Sequence, residues 1–259
     1  VIDANGGNDT VNGLGGDDTI FGDGGNDLLF GGDGDDSIRG GDGADTLHGG
    51  ARADNLDGDG GAGIVSYSQS DAGVTVGLNF GVGSGGDAEG DTFEGIDGFI
   101  GSNFNDRLNV DDNRSNLFYN GGDGFDQLFL NEFQDFRNDT LLNFERIVIA
   151  DTTSGRVGFD IKSDQLADLE EINVRSFSGD VDLFFDMENF VDADLSGFTF
   201  TGFDANDKIR IEGENDADNI VGSTQNDQID ARGGNDTIDG GDGDDAINAG
   251  DGADILIGG

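Results

Sequence analysis

The stretch Gly40-Gly41-Asp42-Gly43-Ala44-Asp45-Thr46-Leu47-His48 has glycine at its first, second and fourth positions, aspartate at the sixth and leucine at the eighth. The same nine-residue pattern recurs on both sides of it. The sixth position is occupied by Asp9, Asp18, Asp27, Asp36, Asp45 and Asp54. The fourth is occupied by Gly7, Gly16, Gly25, Gly34 and Gly43, and the eighth by Val11, Ile20, Leu29, Ile38, Leu47 and Leu56. A fixed period of this kind indicates a repeat architecture.

The period returns near the C-terminus and, more weakly, in between. The C-terminal block has aspartates Asp218, Asp227, Asp236, Asp245 and Asp254, with turn glycines Gly234, Gly243 and Gly252. A degenerate island between the blocks has Asp97, Asp106 and Asp126, each followed two residues later by an apolar residue. All of these positions except Asp97 are therefore candidate members of the same kind of site.

Each nonapeptide predicts a turn followed by a minimal strand. Glycine supplies positive φ and close backbone approach for the turn, and positions seven to nine form a strand with one inward apolar residue. Two units complete one flattened coil, and successive coils stack as parallel strands about 4.8 Å apart. The expected fold is all-β: a parallel β-roll or β-helix solenoid with a right-handed crossover.

Stacking has an electrostatic consequence for this acidic chain. It places Asp9 above Asp27 and Asp27 above Asp45, and bare carboxylates about 4.8 Å apart repel by roughly 3–4 kcal/mol at an effective dielectric near 20. The whole chain has 56 acidic residues against 12 Lys+Arg, a formal charge of −44. Nucleic acid and anionic membrane surfaces are therefore unsuitable partners. A divalent cation between the stacked carboxylates turns their repulsion into attraction.

The available ligands indicate calcium. The candidates are aspartate carboxylates and the carbonyls of the turn glycines, and calcium accepts six to eight such oxygens in flexible geometry. Zinc and copper prefer His or Cys, and the chain has one His and no Cys. A disordered acidic linker has no reason to keep an apolar residue in every unit, and an EF-hand needs a Glu and flanking helices that are missing here. Several calcium ions are therefore expected.

The motif resembles the repeats-in-toxin, or hemolysin-type calcium-binding, family, whose signature is this nonapeptide. Residues 64–109 also look like a spacer found between such blocks in secreted bacterial proteins. The resemblance implies a secreted or cell-surface bacterial protein exported by a type I system, with calcium-binding turns that fold outside the cell.

The segment 130–212 has a different character. Short alternating runs such as 146–149, 171–174 and 208–211 predict strands, and the glycine turns are absent. We expect a calcium-free β-helix between an N-terminal β-roll (1–66), a spacer with the degenerate island (67–129) and a C-terminal β-roll (213–259), all in one continuous solenoid. Seven basic residues lie in this segment: Arg137, Arg146, Arg156, Lys162, Arg175, Lys208 and Arg210. Charge balance is the preferred interpretation of them, and a groove for an anionic polysaccharide is the alternative.

The functional hypothesis is a non-enzymatic calcium-binding solenoid within a larger adhesin, surface-layer or matrix protein. The alternatives are the non-catalytic repeat region of a secreted alginate epimerase, lipase or protease, or a polysaccharide-acting β-helix. Self-association and a cell-surface polysaccharide are the partner classes considered, and no transmembrane segment is expected. The single His48 occupies the variable ninth position and is expected at the surface.

Overall fold

A computed structural model of the chain describes residues 1–110, 114–149, 159–162, 165, 167–175, 181–187, 192–204 and 207–258. The regular structure in these residues is almost entirely β-strand, with a short 3₁₀ helix at Gly86–Ala88. Most strand pairs are parallel. The predicted all-β class with parallel strands is confirmed. No helix in the described part of the chain is long and apolar enough to cross a membrane.

The strands of the N-terminal half are short and regularly spaced. They are β1 (Ile2–Asp3), β2 (Thr10–Asn12), β3 (Thr19–Gly24), β4 (Leu28–Asp33), β5 (Ser37–Asp42), β6 (Thr46–Ala51), β7 (Asn55–Asp57), β8 (Gly63–Ser66), β9 (Thr75–Gly77), β10 (Val82–Ser84), β11 (Thr92–Glu94), β12 (Ile96–Ile100), β13 (Arg107–Val110), β14 (Phe118–Asn120) and β15 (Gln127–Leu130).

The strands of the C-terminal half are equally short. They are β16 (Gln134–Asp135), β17 (Thr140–Leu142), β18 (Arg146–Ile149), β19 (Phe159–Lys162), β20 (Glu171–Val174), β21 (Asp182–Asp186), β22 (Asp192–Asp194), β23 (Thr199–Thr201), β24 (Lys208–Glu212), β25 (Asn219–Val221), β26 (Asp227–Asp230), β27 (Gly233–Gly234), β28 (Thr237–Asp239), β29 (Ala246–Asn248), β30 (Asp251–Gly252) and β31 (Ile255–Ile257).

The chain divides into two compact units, Val1–Phe129 with Asp139–Phe144, and Leu130–Asn138 with Glu145–Gly259. In the first unit, the odd and even strands of the repeat block form separate parallel sheets, β1-β3-β5-β7-β11 and β12-β8-β6-β4-β2. Ile20 pairs with Ile38, and Leu29 pairs with Leu47, so each eighth position stacks on the one two units later. These side chains are at most 1% exposed. Burying each one contributes about 1.5–3 kcal/mol.

An antiparallel excursion interrupts the first unit after β8. Strand β10 pairs antiparallel with both β9 and β11, and β11 returns to pair parallel with β7, placing Phe93 over Leu56. The next turn of the sheet thus comes from a segment 37 residues downstream of Leu56 and not from the next nonapeptide. This departure from the nine-residue period brings an unpredicted aspartate into the site described below.

The second unit is also built from parallel strands. Its sheets are β18-β20-β23, β16-β19-β21-β24-β26-β29, β22-β25-β28-β31 and the small pair β27-β30. The runs predicted as strands at 146–149 and 171–174 are β18 and β20, and the run at 208–211 lies within β24. Ile211 pairs with Ile229, and Ile229 pairs with Ile247, which continues the apolar stacking from the middle segment into the C-terminal repeats.

Candidate metal centre

Sixth-position aspartates of the first unit stack in two columns, one on each edge, which we call the aspartate columns. The backbone N–H of Asp9 donates to Oδ1 of Asp27 (2.8 Å), and that of Asp27 donates to Oδ1 of Asp45 (2.9 Å), each time across 18 residues. On the other edge the same bonds run from Asp18 to Asp36 (2.7 Å) and from Asp36 to Asp54 (2.8 Å). The predicted stacking register is confirmed, with an additional hydrogen bond that ties each carboxylate to the preceding coil.

The C-terminal repeats of the second unit form the same columns. In each of three pairs, the backbone N–H of one aspartate donates to Oδ1 of the aspartate 18 residues later, at 3.0, 3.0 and 3.1 Å. These bonds run from Asp218 to Asp236, from Asp227 to Asp245 and from Asp236 to Asp254. The aspartates of both blocks are therefore arranged alike.

The other oxygen of many column carboxylates has no donor. Asp27, Asp36, Asp45 and Asp54 are at most 3% exposed, and in each of them Oδ2 is buried without a hydrogen-bond partner. The same is true of Oδ2 of Asp236 in the second unit. A buried carboxylate oxygen without a donor is costly, since water and hydrogen-bond donors are both missing. A bound cation would remove this cost.

The unpartnered oxygens of Asp27 and Asp36 face backbone carbonyls across a gap at the glycine in the first position of their nonapeptides. A Cβ built on Gly22 would lie 2.5 Å from Oδ2 of Asp27 and in collision with the carbonyl oxygen of Gly40 in the next coil. Gly31 is flanked in the same way by Asp36 and Gly49. A gap bordered by a carboxylate and a carbonyl, with glycine required to keep it open, has the hard-oxygen chemistry that calcium prefers. The residues present therefore fit the ion.

The fourth-position glycines, predicted as ligands through their carbonyls, hold the turns close together. Their φ angles are positive, from 100° at Gly16 to 152° at Gly34 in the first unit. A Cβ on Gly34 would collide with the carbonyl of Gly16, and a Cβ on Gly43 would collide with that of Gly25. In the C-terminal repeats Gly234, Gly243 and Gly252 also have positive φ. At Gly34 and Gly43, glycine thus suits both the left-handed backbone and the close stacking of the coils.

Comparison with protein families identifies the two blocks. The model of the RTX calcium-binding nonapeptide repeat matches four times, at residues 3–38, 30–65, 212–247 and 232–259. Both blocks are RTX calcium-binding nonapeptide repeats. The chain therefore contains a calcium-binding repeat region of a non-catalytic, structural kind. A search among curated proteins found no match.

The RTX repeats of the described residues use carboxylates in pairs and not in larger clusters. Among residues that the structure describes, no group of three or more His, Cys, Asp and Glu side chains converges on one point. Any ion between two coils must therefore take much of its coordination from backbone carbonyls. This agrees with the carbonyl oxygens found beside Asp27 and Asp36.

One column of the N-terminal RTX block ends in an aspartate that the period did not predict. The N–H of Asp54 donates to Oδ1 of Asp91 (2.8 Å), 37 residues away. Oδ2 of Asp91 accepts from the hydroxyl of Tyr67 (2.7 Å), and both residues are at most 2% exposed. Burial raises the pKa of Asp91 to about 6 and that of Asp54 to about 7. The only sequence signal for Asp91 is the triplet Asp91-Thr92-Phe93, which matches positions six to eight out of register.

Removing the Tyr67 hydroxyl is expected to destabilise the protein even when calcium is saturating. In Tyr67→Phe, Oδ2 of Asp91 loses its donor while remaining buried, which costs about 1–3 kcal/mol. Urea unfolding in excess calcium measures the change. Gln69→Ala, an exposed change in the same segment, is the control and should leave the midpoint in place. A Tyr67→Phe midpoint equal to that of the unmodified protein would contradict the assigned role of the hydroxyl.

The three aspartates of the degenerate island do not all lie in an aspartate column. Asp106 donates its N–H to Oδ1 of Asp126 (2.7 Å), so these two residues form a column pair as their spacing suggested. Asp97 is different: its carboxylate is in an ion pair with Arg114, whose guanidinium also donates to the carbonyl of Ile96 (2.8 Å). A register shift in β12 next to Asp97 removes it from the stacking geometry. The grouping of Asp97 with the other two is wrong.

His48 is not on the open surface. Its ring stacks on Phe30 with the ring centroids 4.5 Å apart, and burial lowers the pKa of its imidazole. Phe30 and His48 are paired ninth-position residues of β4 and β6. His48 is half-buried on the side of β6 opposite to Leu47. The expectation of a surface histidine is thus met only in part, because ninth positions also stack along the sheet and two adjacent rings cover each other.

Two basic residues of the middle segment, Arg137 and Arg146, are engaged in ion pairs. Arg137 contacts the carboxylates of Asp135 (2.7 Å), Asp160 (3.5 Å) and Asp186 (3.2 Å). The hydrogen bond from Arg137 lowers the pKa of Asp135. Arg146 donates to Glu171 (2.7 Å) on the adjacent strand. Arg156 lies outside the described residues. These contacts favour charge balance over a polysaccharide groove.

Proposed function

We propose that this chain is a non-enzymatic calcium-binding solenoid within a larger secreted or cell-surface bacterial protein of the adhesin, surface-layer or matrix type. The observation that carries the proposal is the row of buried Oδ2 atoms without donors in the aspartate columns. Such columns are unfavourable in a calcium-free fold and favourable once ions are bound, so binding energy becomes folding energy.

The ions are assigned to the spaces between successive turns on each edge. Their carboxylate ligands are Asp9, Asp18, Asp27, Asp36, Asp45 and Asp54 in the first unit, and Asp218, Asp236, Asp245 and Asp254 in the second. Carbonyls of the stacked turns complete the coordination, and the gaps beside Gly22 and Gly31 support a contribution from the first position of the next unit. Calcium suits such sites better than magnesium because carbonyl-rich turns rarely meet the strict octahedral geometry of magnesium.

The middle segment is proposed to need no calcium, because an arginine supplies the positive charge there. Strand β16 pairs with β19 through Gln134 and Phe159, and β19 pairs with β21 through Asp160 and Phe184. Arg137 contacts one carboxylate on each of these three strands, those of Asp135, Asp160 and Asp186. A guanidinium with several donors satisfies stacked carboxylates as an ion does in the repeats.

A location outside the cell is supported by the dependence of these sites on a divalent ion. Extracellular calcium modules have dissociation constants of about 10⁻⁴–10⁻³ M, far above the calcium concentration at which cytosolic sensors respond. A chain with this affinity stays unfolded during synthesis and folds after export. The same ion then holds the acidic surface together at the cell exterior.

The test is a calcium titration of the whole chain by isothermal titration calorimetry, with magnesium as the control ion. Half-saturation is expected near millimolar calcium, with little heat from magnesium at the same concentration. Half-saturation below about 1 µM would contradict folding outside the cell, since sensors with such affinity respond inside cells. Equal responses to both ions would contradict the proposed calcium geometry.

A further inference from the structure

Turns of the two blocks and the island fall into two classes that differ at the second position of the nonapeptide. In one class the second residue has positive φ, as in Asp23 (67°), Gly32 (108°), Gly41 (106°) and Arg232 (63°). In the other class, with Ser102, Glu214 or Ser223 at this position, φ is not positive. We call turns of the first class open turns, and we call the Ser102 and Ser223 turns of the second class serine turns. The two classes treat the sixth-position carboxylate differently.

Positive φ turns the second-position N–H away from the aspartate of its own unit. The N–H of Leu14 donates backward to Oδ1 of Asn12 (3.0 Å), and that of Arg232 donates backward to Oδ1 of Asp230 (3.2 Å). The sixth-position aspartate of the Arg232 turn is Asp236, whose Oδ2 has no partner. The same holds for four open turns of the N-terminal block, where Oδ2 of the sixth-position aspartate has no partner. Their second residues are Asp23, Gly32, Gly41 and Gly50, and their sixth-position aspartates are, in the same order, Asp27, Asp36, Asp45 and Asp54.

The serine turns close on their own aspartate. The N–H of Ser223 donates to Oδ2 of Asp227 (2.6 Å), and its hydroxyl contacts Oδ1 (3.0 Å). In the island, the N–H of Ser102 donates to Oδ2 of Asp106 (2.5 Å) and its hydroxyl contacts Oδ1 (2.9 Å). Asp106 and Asp227 are each 2% exposed, so these bonds satisfy carboxylates as buried as those of the open turns.

The residue type contributes to the backbone difference. Glycine adopts positive φ freely, and Asn and Asp do so more readily than other residues, because their side chains bond locally to the backbone. Leu14 (73°) and Arg232 (63°) adopt positive φ although they have a Cβ, so the residue type favours one class without fixing it. At Ser102 and Ser223 φ is not positive, and the N–H is directed inward. The hydroxyl then adds a second bond to the same carboxylate. A hydrogen atom with partial positive charge thus occupies the direction from which an ion would approach Oδ2.

We infer that the second residue of each nonapeptide decides whether its turn binds calcium, and that the Ser102 and Ser223 turns are metal-independent turns built into the calcium-binding repeats. This inference rests on the proposed function, because it assigns ions to the open turns. It removes Asp106 and Asp227 from the ligand set predicted from the nine-residue period. Asp218 stays in that set: the N–H of Glu214 donates to its Oδ2 (3.0 Å), but Glu214 has no hydroxyl, and Oδ1 of Asp218 is buried without a partner. The two serine turns keep their shape without an ion and hold the register of the neighbouring coils.

Opening a serine turn tests the inference directly. In Ser223→Gly the backbone can take positive φ and release Oδ2 of Asp227, which already faces the carbonyl of Gly240 across the gap at Gly222. The protein should then bind one more calcium ion per chain at saturation, measured by equilibrium dialysis with radioactive calcium. Ser223→Ala is the matched control, because it removes the hydroxyl but keeps the inward N–H, and its ion count should not change.

The reverse change closes an open turn without disturbing a glycine. Asp23→Ser should bind one ion fewer per chain, because serine favours negative φ and directs its N–H to Asp27. Asp23→Asn removes the same charge but tolerates positive φ, so it should keep the full count. Circular dichroism in excess calcium confirms that all four variants are folded.

The outcomes separate the inference from the proposed function. An unmodified protein that binds no calcium overturns the proposed function itself. A protein that binds calcium, but whose count is the same in Ser223→Gly and Ser223→Ala, overturns the inference alone. Equal counts in Asp23→Ser and Asp23→Asn also overturn it. Opposite changes of one ion in Ser223→Gly and Asp23→Ser, with both controls unchanged, establish it.

Discussion

In a calcium chelator at neutral pH, the protein is expected to lose most of its β structure, and millimolar calcium is expected to restore it. The reason lies in the aspartate columns, where buried carboxylates stack across 18 residues and keep Oδ2 atoms without donors. Without ions, each stacked pair adds a repulsion of roughly 3–4 kcal/mol at an effective dielectric near 20. Several such pairs exceed the 5–15 kcal/mol by which typical folds are stable.

Far-ultraviolet circular dichroism during a calcium titration measures this transition. Sodium chloride at matched ionic strength is the control, because screening alone weakens repulsion between exposed charges but reaches buried pairs much less. A spectrum in chelator that already shows full β structure, and that calcium leaves unchanged, would overturn the central role of the ion in folding.

The second large effect concerns the position of an aspartate within its column. Asp27 is bonded to both Asp9 and Asp45, so it adjoins two inter-coil spaces, whereas Asp9 adjoins one. Each ion bound at one hundred times its dissociation constant contributes about 2.7 kcal/mol to stability. In excess calcium, Asp27→Ala should therefore cost up to about 5.4 kcal/mol, against about 2.7 kcal/mol for Asp9→Ala.

Urea unfolding in excess calcium compares the two variants. Asp42→Ala, which changes an exposed third-position aspartate of the same block, controls for loss of negative charge and should have little effect. Equal destabilisation by Asp27→Ala and Asp9→Ala would contradict the assignment of two ions to Asp27. A larger effect of Asp9→Ala would contradict it as well.

The regular part of the site follows from the sequence, because one period sets both the turn and the strand. Once Asp27 and Leu29 recur nine residues apart, a two-unit coil brings Asp9 against Asp27 and Leu29 against Leu47. The fold class and the columns are therefore predictable from the repeat alone. Local backbone requirements and long-range stacking agree at every unit, which is typical of repeat proteins.

The exceptions depend on tertiary structure that the period does not encode. Asp91 joins a column only because an antiparallel excursion returns the chain to β7, and no local signal reports that return. Asp97 has the right spacing but is drawn into an ion pair with Arg114 beside a register shift. The serine turns share the aspartate and the apolar residue with the open turns, and they differ from them at the second position, in the residue and in the sign of its φ.

The hydrogen bonds of the aspartate columns all run in the same sense along the chain: an N–H of one coil reaches the carboxylate of the coil that follows it. Each column therefore has a direction. At the C-terminal end of one column of the N-terminal block, the N–H of Asp45 bonds to the carbonyl of Ala62 (3.2 Å). At the end of the other column, the N–H of Asp91 bonds to the carbonyl of Ala88, and its carboxylate accepts from the hydroxyl of Tyr67. Both columns of this block are thus closed at their C-terminal ends by hydrogen bonds to residues outside the nine-residue period, so that no donor of either column is left for a further coil.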